Sequence, residues 1–204
     1  HLWLAPHIGA FQMRHPGLAV RIQADDAVVD FAQGGIDLAV RGGDGRWPGL
    51  EAVLLTHNRL APLCSPDWLA RNGPIADARA LHAMPRLSPD DIWWREWFVA
   101  MGVEDDPAGG PPGIALDSQV MEGRAAMAGQ GVAIVNLFLW KAEVEAGQLV
   151  EAVPSYVQER ASYWVVYPSH SRNSPKIKAF RDWINAEFAR AVAADTEARY
   201  LPRR

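Results

Sequence analysis

A single cysteine, Cys64, stands in 204 residues. It excludes an internal disulfide and a multi-cysteine zinc site, and a reducing, cytoplasmic setting fits. Basic clusters are equally scarce: no block of Lys or Arg is longer than Arg203-Arg204, and the formal net charge is −4. Neutralising phosphates requires a basic face, so this chain alone is a poor nucleic-acid binder. No run of 18 apolar residues marks a membrane helix, and the N-terminus lacks the basic-then-apolar pattern of a secretory leader. The histidines, at 1, 7, 15, 57, 82 and 170, show no metal-ligand spacing, and His7 reads as a helix-face residue. Gly129-Gln130-Gly131 lacks the third glycine of a dinucleotide fingerprint, and Ser65 has no G-x-S-x-G frame. No catalytic constellation, cofactor site or metal site emerges, so the expected role is not enzymatic.

What is present is apolar. Hydrophobic residues make up 49% of the chain, ample for one large core or two small ones, and the nine tryptophans read as core. Leu4, Ile8 and Phe11 predict a helix face, while Trp3, His7, Ala10 and Arg14 form a second face too apolar at its start for plain solvent. Leu18 to Ala24 alternates like a strand, and Asp25-Asp26 would cap a helix from Ala27 to Gln33. Two short strands are expected at Ala52–Leu55 and Leu60–Cys64, around a turn at Thr56-His57-Asn58. Ser65-Pro66 and Ser174-Pro175 each pair a cap with proline at the first helical position. Ile92 to Met101 carries Trp94, Trp97, Phe98 and Met101 at helical spacing, and Ile177, Phe180, Ile184 and Phe188 stripe the last helix. Between them come a Pro/Gly loop at 109–113, a strand at Ile114–Leu116, a helix from Asp117-Ser118 to Ala128, and a strand at Val132–Val135. A helix near Leu139–Glu145 and strands at Leu149–Val153 and Ser162–Tyr167 follow. Two blocks of alternating strands and helices predict parallel sheets and two α/β subdomains.

The stretch from Gly34 to Leu50 organises the rest. Ile36 to Val40 suits a buried strand, Arg41 ends it, and Gly42, Gly43 and Gly45 follow as a loop where backbone N–H groups can lie bare. A strand ending in a glycine loop beside a cation suits small-ligand binding in an open α/β sheet. A strand followed by a surface turn is the plain alternative.

That stretch, with its Asp37, Ala39, Arg41 and Trp47-Pro48-Gly49-Leu50, resembles the effector-binding domain of LysR-type transcriptional regulators. The likeness is greatest to the branch of glycine-cleavage activators and β-lactamase regulators. Leu4 to Phe11, His15-Pro16-Gly17, Pro62 to Pro66, Asp117-Ser118, Ala128 to Ile134 and Phe180 to Ile184 agree in order and spacing, over roughly residues 2 to 190. The resemblance implies two Rossmann-like subdomains joined by a two-segment hinge, as in type 2 periplasmic binding proteins. Residues 1–64 with 168–195 would form the first and 65–167 the second, leaving 196–204 as a polar tail. It also implies a first strand and a DNA-binding winged helix-turn-helix, neither of them visible here, and a homodimer or tetramer built through this domain. DNA would be met only through that absent part, and a small polar or anionic effector would sit between the subdomains; no membrane contact is implied. A free-standing solute-binding protein is the runner-up, and a small α/β enzyme comes third.

Candidate effector contacts follow. Asp117, Ser118 and Gln119 lie where a strand meets a helix N-terminus, so a hydroxyl and bare N–H groups could meet an anion; an ordinary N-cap is the alternative. Asp30 stands where the glycine-cleavage-activator branch also has an acid, and could hold an amine or simply face solvent. Arg41, beside Gly42, has the fork suited to a carboxylate, or could pair with Asp37 or Asp44. Asn136 and Tyr163 end strands and could add polar groups.

Overall fold

A computed structural model describes residues 2–24, 29–103 and 111–196. Its helices are α1 (Leu4–Arg14), α2 (Pro66–Asn72), α3 (Ala78–His82), α4 (Ile92–Ala100), α5 (Gln119–Met127), α6 (Lys141–Glu145) and α7 (Pro175–Thr196). Its strands are β1 (Ala39–Gly43), β2 (Leu50–Cys64), β3 (Ala133–Asn136), β4 (Val150–Glu151) and β5 (Val157–Pro168). The chain divides into two compact units, one of residues 3–57 with 160 onward and one of residues 58–159. It therefore crosses between units inside β2 and again inside β5. The crossings expected from the sequence, after 64 and 167, lie toward the C-terminal ends of those same two strands.

In the first unit, α7 buries its apolar stripe of Ile177, Phe180, Ile184 and Phe188, with Trp183 alongside. Phe11 of α1 is buried against this stripe, its ring 5.2 Å from both Phe180 and Trp183. Each such side chain taken from water contributes roughly 1.5–3 kcal/mol. Trp3 packs over Phe188 at 4.0 Å and stacks on His7 at 4.3 Å, which gives part of the second α1 face an internal partner. β1 pairs antiparallel with β5, from Ala39 opposite Val166 to Gly43 opposite Ser162, and β2 lies on the other side of β5.

The second unit is built on an aromatic core. Trp94, Trp97 and Phe98 of α4 pack with Leu60, Cys64, Trp68, Leu81, Val132 and Ile134. β2 pairs antiparallel with β3 through Leu60 to Leu63, and with β4 through Leu63 and Cys64. Ser65 caps α2 by accepting the Trp68 N–H at 3.2 Å, as the Ser-Pro pair predicts. Cys64 is fully buried, and burial pushes its thiol up to about 11, so it packs as a small apolar residue.

The α/β class holds, while several local expectations do not. Residues 50–64 are one strand rather than two, because Thr56 and Asn58 are buried instead of turning outward. β1 begins three residues later than expected and runs through Arg41, so Arg41 and Gly42 are strand residues. Leu18–Ala24 forms no strand among the described residues: the alternation is present, but Val20 and Ile22 stand 37% and 40% exposed with no ladder to join. The helix at 27–33 falls partly on residues 25–28, outside the described residues, as do the capping pair Asp25-Asp26; what is described is a 3-10 turn at Phe31–Gln33. Ile114–Leu116 is extended but forms no ladder, bonding instead to Ser88. The first part of the Pro/Gly loop also lies outside the described residues. The ladders named above are antiparallel, and parallel pairing occurs at the bridge between Arg86 and Val132. Long strands β2 and β5 supply those ladders, where the sequence suggested short strands linked by crossovers.

Candidate functional site

In the first unit, register brings three of the singled-out residues together. Arg41 lies opposite Trp164, and Gly42 lies opposite Tyr163. Neither acid considered as a partner holds Arg41. Asp37 pairs with Lys176 at 2.7 Å, and Asp44 accepts the Arg46 N–H at 3.0 Å. The Arg41 guanidinium instead sits 5.4 Å from the Trp47 ring centroid, a cation–π contact that leaves its N–H fork uncommitted among the described residues.

The glycines here serve packing. A Cβ on Gly43 would come within 2.6 Å of Trp47, and one on Gly45, at φ 84°, within 2.6 Å of Trp164. The Trp164 indole N–H donates to the Gly43 carbonyl at 2.9 Å. Two indoles therefore cover backbone that the sequence alone suggested was bare, while Gly42 has open space where a side chain would stand. Asp30 has a local role: it caps the 3-10 turn by accepting the Ala32 N–H at 2.9 Å, and it is exposed.

The second unit gathers the other four. Ser118 is the N-cap of α5, its Oγ accepting the Met121 N–H at a long 3.4 Å. The first-turn N–H groups of Gln119 and Val120 have no helical carbonyl to bond and can face a ligand. Asp117, just outside the helix, is exposed. The Gln119 side chain reaches to β3, where its Oε1 accepts the Asn136 N–H at 3.1 Å. Asn136 is fully buried and heavily engaged. Its Oδ1 accepts from Phe138 N at 2.8 Å and Leu139 N at 3.2 Å, and its Nδ2 donates to Asn58. Asn136 thus closes the turn after β3, and Gln119 ties the start of α5 to that turn.

Two residues near the start of α5 went unnoticed in the sequence. Glu122 is only 3% exposed, although it is an acid, and Ser88 is buried at φ 46°, a left-handed conformation rare outside glycine. Both line a cavity of about 250 Å³ with Asp90, Asp91, Ala115 and Leu116. Segment 113–116 forms one wall because Gly113 sits so close to the Arg86 carbonyl that a Cβ would lie 2.0 Å from it. Leu116 N–H then donates to Ser88 Oγ at 3.1 Å. Burial pushes the Glu122 carboxyl up to about 7; the Ser88 hydroxyl beside it pulls partly back, and the charge on Asp91 adds to the rise. The available sequence signal was an acid four residues after the cap, followed by Gly123, which must be glycine because Trp140 would lie 2.1 Å from its Cβ.

Among the described residues no group of three or more His, Cys, Asp or Glu is arranged to hold a metal ion, and no helix is long and apolar enough to cross a membrane. The chain matches the LysR substrate binding domain over residues 1–189. It is 32% identical over 193 residues to the glycine cleavage system transcriptional activator of Escherichia coli K12, covering 92% of this chain and 61% of that protein. It is 30% identical over 182 residues to the transcriptional activator AmpR of Citrobacter koseri, covering 89% and 61%. The chain thus spans less than two thirds of these relatives. Among solved structures it resembles the effector domain of AmpR from Pseudomonas aeruginosa, with a TM-score of 0.79 and 27% identity over 98% of this chain and 94% of that one. The AmpR effector binding domain of Citrobacter freundii gives 0.78 and 25%, over 92% of each chain. These relatives are transcriptional activators, so the solute-binding alternative is not favoured. With its fold, its order of motifs and its length of match in agreement, the chain belongs to the LysR substrate binding domain family.

Proposed function

We propose that this chain is the effector-sensing part of a LysR-type transcriptional regulator, and that it acts in the cytoplasm without catalysing a reaction. The match across residues 1–189 carries this reading. A small polar or anionic metabolite binds, and its anionic group meets the Ser118 hydroxyl and the first-turn N–H groups of α5, helped by the helix dipole. Arg41, Gly42 and Tyr163 are also proposed as effector-contact residues, Arg41 because its guanidinium fork is uncommitted among the described residues. DNA is met only through another part of the protein, and this part associates as a homodimer or tetramer. A ligand changes transcription only by binding one arrangement of the assembly better than another.

The test is Ser118→Ala, with affinity measured calorimetrically for carboxylates and amino acids that bind the wild type. Loss of one charge-assisted hydrogen bond, worth roughly 1.5–3 kcal/mol, should weaken carboxylate binding by roughly 10- to 150-fold. Unchanged affinity together with about 1 kcal/mol lost stability would make Ser118 a cap and nothing more.

A further inference from the structure

The cavity beside α5 has a buried floor and an exposed rim, and its polar lining is of one sign. Asp90 and Ala115 stand exposed at its mouth, Asp91 and Leu116 are half-buried, and Ser88 and Glu122 lie at the bottom. One feature makes it more than an acidic cluster. Glu122 Oε2 is buried and has no hydrogen bond among the described residues, although the side chain lines an open cavity. No Lys, Arg or His among the described residues forms an ion pair with Asp90, Asp91 or Glu122. Two basic side chains close in sequence are engaged elsewhere: Arg86 donates to the His82 carbonyl at 2.6 Å and lies over the Trp94 and Phe98 rings, and Arg124 lies 5.9 Å from the Trp140 ring centroid.

A buried carboxylate oxygen costs free energy until something donates to it. Inside the chain the lining offers Glu122 little. Asp91 is itself an acceptor, taking the Trp93 N–H on Oδ1 at 2.9 Å, and the Ser88 hydroxyl accepts the Leu116 N–H at 3.1 Å and donates to the Leu116 carbonyl at 3.4 Å. An anion would be repelled by three carboxyl groups, whereas an ammonium supplies three donors and a compensating charge. At about 250 Å³ the space falls short of the roughly 300–1,000 Å³ of drug-sized pockets, and suits a small head group.

We propose that this cavity is a primary-ammonium site, with Glu122 as the principal acceptor and Asp91 and Asp90 as supporting negative charge. The proposal deepens the effector reading, on which it rests for its biological purpose. Ser118 and Glu122 are four residues apart on α5, and the Glu122 N–H bonds the Ser118 carbonyl at 3.0 Å, so both lie on one helix face about 6 Å apart along the axis. A zwitterion can then place its amino group in the cavity and its carboxylate at the helix N-terminus. The effector class narrows from polar or anionic metabolites to those that carry a primary amine.

Calorimetry on the full chain at pH 8 with three probes of one chain length tests this: n-butylammonium, 4-aminobutyrate and butyrate. Butylammonium and 4-aminobutyrate should bind, and Glu122→Gln should weaken both by roughly 10- to 150-fold, the worth of a charged hydrogen bond, while butyrate is unaffected. Binding of butylammonium should also release a proton at pH 7, seen as a different apparent enthalpy in buffers of different ionisation heat. Should Glu122→Gln fold poorly, Asp91→Asn, which keeps the helix cap, should weaken the same two probes by a smaller factor. No binding of butylammonium to the wild type, or equal binding by Glu122→Gln, overturns the ammonium site. The Ser118→Ala variant reports separately: it should weaken 4-aminobutyrate and butyrate but not butylammonium, so failure of the anion contact leaves a different mark from failure of the amine contact.

Discussion

Replacing Glu122 with glutamine should make the protein more stable, and only at pH values where the acid would be charged. In the folded state its carboxyl titrates at about 7, against 4.5 for the free side chain, because burial disfavours the anion. Below 4.5 the group is protonated whether folded or not, and it costs nothing. As pH rises from 4.5 to about 7 the unfolded chain gives up its proton while the folded one keeps it, so stability falls across that window and stays lowered above it. At 1.36 kcal/mol per pH unit the penalty is capped at about 3 kcal/mol. Glutamine matches the shape without the charge. Urea midpoints of the two proteins should therefore agree near pH 4 and separate up to pH 8, with the variant ahead by up to about 3 kcal/mol. In melting temperature this is roughly 6–12 °C for a chain of this size. Taking the difference between the two proteins cancels every other titrating group. A gap that does not change with pH, or a variant less stable at pH 8, would refute the reasoning. A buried acid that weakens the fold yet improves amine binding would be the usual compromise between stability and function.

Gly45→Ala should cost about 1–3 kcal/mol, read from a thermal melt, since φ is 84° and the new methyl would meet Trp164 at 2.6 Å. Asn136→Ala should cost about 3 kcal/mol in urea denaturation, because the N–H groups of Phe138 and Leu139 lose their acceptor in a buried turn. Cys64 should resist thiol reagents at pH 8 until urea unfolds the protein; its thiol is buried and titrates at about 11, so fast labelling of the native chain would contradict the core described above.

Elements whose signals are local were legible in the sequence. The Ser-Pro starts of α2 and α7, the tryptophan spacing of α4 and the Ser118 cap of α5 each depend on residues within a turn or two. β2 was not legible, because its middle residues owe their burial to distant partners. His57 meets Ser162 at 3.0 Å, and Asn58 bonds Asn136, so a polar triplet that reads as a turn is held inside a strand. The nearness of Arg41, Gly42 and Tyr163 likewise depends on the pairing of β1 with β5, which no periodicity reveals. The place of Ser118 at the cap of α5 was legible because that signal is local. Glu122 was missed because an acid in the first turn of a helix already has an adequate explanation in the dipole; its burial comes from segment 113–116 pressing against Ser88, far away in sequence.

The two crossings of the chain, inside β2 and inside β5, also set an order of events during synthesis. Residues 58–159 are contiguous and can collapse on their own aromatic core as soon as they emerge. Residues 3–57 cannot, because Phe11 packs against Phe180 and Trp183, and β1 against β5, partners that leave the ribosome only after residues 58–159. This segment must therefore wait, with its apolar face uncovered, for about a hundred residues to be added, at roughly 5–20 residues per second. A nascent chain halted once residues 58–159 are clear should resist protease in that stretch and be cut readily before residue 57. Chaperone demand, on this account, belongs to residues 3–57 and ends only when α7 arrives.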